Sequence, residues 1–81
     1  MAPIVRDYTV ILTREPEVGG YSVAVPALPE VATQGETVEE ALAMAREAIE
    51  LSLEVRRDQR EPIPFDVEPL EKRIHIELEA A

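Results

Sequence analysis

Over residues 7–14 apolar and polar positions alternate, with Tyr8, Val10 and Leu12 on one side of an extended chain, and the run is rich in β-branched and aromatic side chains. This pattern predicts a first strand. Glu15, Pro16, Glu17, Val18, Gly19 and Gly20 follow as a loop whose two glycines can take positive φ. Residues 21–25 then alternate again, so the two runs predict an antiparallel hairpin. Pro26 and Pro29 lack the N–H that a central ladder needs, and the chain must leave regular pairing around Ala27 and Leu28. Residues 31–34 return as a short third strand.

The period changes after Gly35. Thr37 is followed three residues later by Glu40, a capping box in which hydroxyl and carboxylate satisfy backbone donors at a helix start. Glu39 and Glu40 fall in the first turn and Arg56 and Arg57 in the last, each matching the sign that the helix dipole favours there. The predicted helix covers residues 38–57 and is about 30 Å long. Val38, Ala41, Leu42, Ala45, Ala48, Ile49, Ser52, Leu53 and Val55 share an arc that Met44 and Leu51 widen to roughly 200°. A sheet face needs a stripe only somewhat over about 100° wide. The surplus around Met44 and Leu51 therefore predicts a second contact, either with a partner or with the C-terminal tail folded back.

Beyond Gln59, Pro62, Pro64 and Pro69 impose an extended connector, for which Ile63 and Phe65 are candidate anchors. Residues 73–79 alternate with Ile74, Ile76 and Leu78 on one face and Arg73, His75, Glu77 and Glu79 on the other, which predicts a last strand at a sheet edge. The order β-β-β-α-β describes an α+β fold: a small antiparallel sheet packed on one long helix. One domain spans residues 1–81, with its core at about 6–65. Met44, Leu51, Val55, Ile74, Ile76 and Leu78 are the candidate partner or oligomer interface.

A domain of 81 residues buries only about 60% of its unfolded surface, a margin that favours self-association, and a homodimer or homotetramer is expected. Cysteine is absent, which excludes a disulfide framework, a thiolate metal site and a thiol nucleophile. Neither a signal-peptide pattern nor a membrane-length apolar run is present, and the cytoplasm is the expected compartment. Seventeen acidic against eight basic residues give a net charge of -9, which repels a phosphate backbone, so direct nucleic-acid binding by the monomer is not expected. The same field steers a basic partner inward, or serves solubility alone. Seven of the eight basic residues are Arg, asparagine is absent, and Pro outnumbers Gly seven to three, a composition shared by heat-adapted chains and by GC-rich coding.

Few residues offer chemistry. His75 is the single histidine and sits on the polar face of an alternating run, where an exposed imidazole without a catalytic partner is expected. Thr9, Thr13, Ser22, Thr33 and Ser52 lie in no strained elbow, and Thr37 is accounted for by capping. Gly19, Gly20 and Gly35 match no phosphate-cradling spacing. A metal-dependent nuclease needs several converging acids, and only Asp7 lies at the edge of a predicted core strand. Glu36, Glu39 and Glu40 could approach a metal, but capping covers two of the three better. No catalytic, cofactor-binding or metal residue is assigned.

The succession Gly20-Tyr21-Ser22-Val23-Ala24, Val25-Pro26-Ala27-Leu28-Pro29, Thr33-Gln34-Gly35 and Thr37-Val38-Glu39-Glu40-Ala41-Leu42 resembles the HicB family. So do Ala45, Glu47, Ala48 and Ile49 on the helix and Pro62, Ile63 and Pro64 after it. Tyr21, Pro26, Pro29, Gly35, Thr37 and Glu40 carry the structural part of the motif. The resemblance implies a truncated ribonuclease-H-like fold and the role of an antitoxin. Its implied partner is a HicA-like toxin, a small basic messenger-RNA interferase inhibited by occlusion. Two departures stand out. Pro29-Glu30-Val31 replaces a Pro-Gly-Cys type of turn, and the C-terminal DNA-binding domain of full antitoxins is not matched, so operator binding is not carried over. The alternatives are an orphan oligomeric regulator without a toxin, and a reduced ribonuclease-H-like nuclease using Asp7.

Overall fold

The computed structural model describes residues 2–80. It contains β1 (Ile11–Arg14), β2 (Tyr21–Ala24), β3 (Ala32–Gly35) and α1 (Val38–Asp58), with the strands in the order β1-β2-β3 and both pairings antiparallel. The expected hairpin is set by Leu12 opposite Val23 and Arg14 opposite Tyr21. β1 is shorter than the alternation in residues 7–14 suggested. Its partner β2 ends at Ala24, because Pro26 turns the chain away, and residues 8–10 are left extended without a ladder.

The two prolines make two consecutive reverse turns. Leu28 N–H donates to the Val25 carbonyl and Val31 N–H to the Leu28 carbonyl, each at 2.9 Å, with Pro26 and Pro29 at the second position of their turns. A repeat of three thus carries Val25, Leu28 and Val31 into the interior, where all three are buried and Leu28 has no exposed surface. Tyr8, Val10, Ile49 and Leu53 pack around them, and a second cluster joins Val23 to Ala41 and Ala45 of the helix.

Helix α1 lies across one face of the sheet. Thr37 caps it by accepting from Glu40 N–H at 3.0 Å, and the Glu40 carboxylate reaches back to Glu36 N–H at 3.2 Å, one residue beyond the donor of a standard box. At the other end Arg60 takes φ +59°, with Arg60 N–H on the Arg57 carbonyl and Glu61 N–H on that of Arg56, the paired bonds of a Schellman turn built without glycine. The buried stripe is narrower than the sequence arc. Val38 and Leu42 are about half exposed (46% and 48%) because three four-residue strands cannot cover them.

After the turn, the chain returns alongside Tyr8 and Thr9, just ahead of β1, and in the same direction. Tyr8 Oη donates to the Pro64 carbonyl at 2.5 Å, and Asp66 accepts from Thr9 N–H at 2.9 Å and from its hydroxyl at 2.6 Å. Pro62 and Pro64 lack donors, so side chains do the pairing that a parallel ladder would do. Ile63 is half-buried as expected, whereas Phe65 lies at the surface beneath the Arg6 guanidinium, 4.1 Å from its ring centre.

The α+β class is what the structure shows; the ribonuclease-H likeness stays an implication of the resemblance. The expected last strand is corrected. Residues 73–79 form no strand, and Ile74, Ile76 and Leu78 are 81%, 74% and 92% exposed. Alternation supplied an apolar face but no neighbour to pair with. The tail does not fold back over Met44 and Leu51 either. The Cα radius of gyration, 16.2 Å, exceeds the roughly 12 Å of a compact chain of this length because the tail projects outward.

Candidate functional site

Met44, Ala48, Leu51 and Val55 follow one another at helical spacing along the flank of α1 that borders β3. Met44, Leu51 and Val55 are 38%, 62% and 45% exposed, so this part of the expected interface is a continuous apolar stripe at the surface. Its C-terminal half lines an open groove of about 530 Å³ with Val31 and Ala32, closed at one end by Glu30, Arg56 and Glu61. Its N-terminal end, at Met44, opens into a separate depression with Glu15, Val18, Glu36 and Glu40 beneath the hairpin loop.

Beside the stripe runs β3. It pairs with β2 along one edge, and among the described residues nothing pairs with the other. Its residues Ala32, Thr33, Gln34 and Gly35 include no charge and no proline, the usual guards of a free edge. On the solvent side of the stripe, about 60° round the helix, Glu40, Glu47, Glu54 and Asp58 form an acidic row. The helix cations leave most of this row unpaired: Arg46 lies near Glu50 at 3.9 Å, Arg56 is consumed by Glu30, and Arg57 pairs with Asp58 at the C-terminal end of the row at 3.1 Å.

That last contact was not foreseen. Glu30 accepts from Arg56 Nε at 3.0 Å and Nη2 at 2.9 Å, and the Ser52 hydroxyl donates to the same carboxylate. The Arg56 guanidinium, then the Ser52 hydroxyl, hold the Glu30 carboxyl at about 2, well below its ordinary 4.5. Glu30 occupies the second of the two proline turns. That turn is therefore clamped to the last turns of the helix.

The other candidates are dispersed. Ile74, Ile76 and Leu78 lie in the projecting tail, with His75 Nε2 3.2 Å from Glu77 Oε1 in full solvent. Among the described residues no three His, Cys, Asp or Glu side chains are grouped to hold a metal ion, and Asp7 is exposed without such neighbours. Nor is any helix of the described residues long and apolar enough to cross a membrane. Burial raises the Tyr8 phenol, with Arg6 and Arg56 opposing, as befits a structural donor to Pro64.

Residues 7–81 match the family model for the HicB-like antitoxin of bacterial toxin-antitoxin systems. The chain belongs to the HicB-like antitoxin family. This HicB-like chain is 49% identical over 59 residues to UPF0150 protein Ta0767 of Thermoplasma acidophilum, covering 73% of the chain and 84% of that relative. It is 44% identical over 63 residues to Antitoxin HicB 1 of Photorhabdus laumondii, covering 76% of the chain and 41% of the relative. With Antitoxin HicB of Escherichia coli K12 it shares 41% identity over 69 residues, 85% of the chain and 49% of the relative. The HicB-like chain thus spans less than half of the two named antitoxins and most of the shorter relative. Its Tyr21, Pro26, Pro29, Gly35, Thr37 and Glu40 stand in the structure at the hairpin start, the double turn and the helix cap.

Proposed function

We propose that this HicB-like chain is a non-enzymatic antitoxin module that binds a basic HicA-type messenger-RNA interferase and occludes it in the cytoplasm. The observation that carries this reading is the family match over residues 7–81. The net charge of -9 supports it, since an acidic surface attracts a cationic ribonuclease and competes with RNA phosphates for the same groups. The exposed aliphatic face of the tail, Ile74, Ile76 and Leu78, is assigned to contact between copies in a homodimer or homotetramer, which light scattering at micromolar concentration measures.

The test is RNA cleavage by a HicA-type toxin encoded in the same genome, titrated with the purified chain. Inhibition complete near one chain per toxin is expected, weakening as salt is raised from about 50 to 500 mM. Undiminished cleavage at a tenfold excess of chain overturns the reading.

A further inference from the structure

We infer that the toxin docks along the outer edge of β3 and the adjoining helix flank, adding an extended segment of its own to the sheet. The inference rests on the antitoxin reading and specifies which of the chain's surfaces does the binding. Three features coincide there and nowhere else among the described residues. The β3 edge has unpaired backbone groups and lacks a charged residue or proline to block strand addition. Leu51 and Val55, with Val31 and Ala32, form an apolar floor beside that edge. Glu40, Glu47 and Glu54 lie on the far rim with no cation within 4.0 Å among the described residues, while Asp58 at the end of the row pairs with Arg57.

The dimensions agree. Four residues of β3 run about 13 Å, and Met44 to Val55 run about 16 Å along the helix, so one extended segment can follow both. Its side chains alternate, one set on the apolar floor and the other outward, and cations flanking the apolar set reach the acidic row. Charge selects the occupant. A second copy placed symmetrically on this flank would bring two acidic rows together, whereas a cationic toxin finds them complementary.

The experiment measures inhibition of the same toxin by variants of the full chain, each checked for unchanged helical circular dichroism. Leu51→Ser removes the floor, and Glu47→Lys with Glu54→Lys reverses the row. Glu68→Lys with Glu71→Lys makes the same change of net charge in the tail. We expect the two flank variants to need at least tenfold more protein for half-inhibition and the tail variant to stay within threefold of the native chain. In the complex, exchange of those amides among residues 32–35 that do not already bond to β2 should slow at least tenfold. Equal losses from flank and tail reversals, or unaltered inhibition by both flank variants, overturn the docking site while leaving the antitoxin reading intact. A native chain that does not inhibit at all overturns the reading itself. A chain that is dimeric alone and becomes monomeric with Leu51→Ser gives the flank to a second copy, and the inference fails.

Discussion

Glu30 and Arg56, twenty-six positions apart, are joined by two nearly parallel hydrogen bonds of 3.0 and 2.9 Å, which tie the second proline turn to the last turns of the helix. Two-pronged pairing fixes geometry as well as charge, so the clamp orients the C-terminal end of α1 over Val31. The Glu30 side chain is 43% exposed, and solvent screening limits the contribution to about 1 kcal/mol or less.

The pH dependence follows from the carboxyl lying at about 2 in the folded chain against 4.5 ordinarily. A depressed carboxyl stabilises the fold above the unfolded value and loses that contribution as pH falls through the folded one. Urea midpoints of the native chain and of Glu30→Gln should therefore differ at pH 7 and converge between about pH 4.5 and 2. A constant difference across that range would assign the effect to packing.

What the sequence made legible was local. The alternation of Tyr8, Val10 and Leu12, the proline punctuation at Pro26 and Pro29, and the Thr37 and Glu40 cap are short-range signals, and each element they mark is present, although β1 covers only the Ile11–Arg14 end of its alternating run. Long-range partners were not legible: nothing near Glu30 announces Arg56, and nothing near Asp66 announces Thr9. Alternation also misled in the tail, where Ile74, Ile76 and Leu78 carry the pattern of a strand but find no neighbouring strand in the same chain. The helix arc overcounted Val38 and Leu42 because periodicity measures what could be covered, while the width of the sheet decides what is. Of the candidate surface, Met44, Leu51 and Val55 were visible as surplus, but the acidic row and the bare β3 edge needed the two elements placed side by side.

Gly35 is where the sheet and the helix start touch backbone to backbone. A Cβ there would lie 2.4 Å from Ala41 N and 2.6 Å from Ala41 Cα, and Ala41 is fully buried. Main-chain atoms at a capped helix start cannot give way locally, so Gly35→Ala should cost about 2–4 kcal/mol. Gly19→Ala, with φ +78° but open space around the new methyl, should cost only about 1 kcal/mol. Parallel urea titrations measure both, and equal losses would remove the steric explanation.

Arg60 holds a left-handed conformation, φ +59°, to close the Schellman turn. That conformation costs an L-residue roughly 1–2 kcal/mol, and glycine gives back part of the relief through its greater unfolded-state freedom. Arg60→Gly should therefore gain about 0.5–1 kcal/mol, whereas Arg60→Ala should gain nothing. Thermal unfolding of the three proteins checks the ranking, and an alanine variant as stable as the glycine one would point to the lost charge.

Asp66 holds the returning segment against Thr9, and the Thr9 hydroxyl and N–H keep its carboxyl below the ordinary carboxylate range. With Pro62 and Pro64 removing backbone donors, this contact and the Tyr8 to Pro64 bond are the hydrogen bonds that hold residues 63–66 beside Tyr8 and Thr9, next to the Arg6–Phe65 contact. Asp66→Ala should leave the helix signal nearly unchanged while exchange at the Thr9 amide quickens at least tenfold and proteolysis within residues 61–72 increases. In the native chain the same release should set in as pH falls through the depressed range of that carboxyl, since its contribution is present above the unfolded value and lost below the folded one. The Asp66→Ala protein should show no such pH step, and a step of equal size in both would place the titrating group elsewhere.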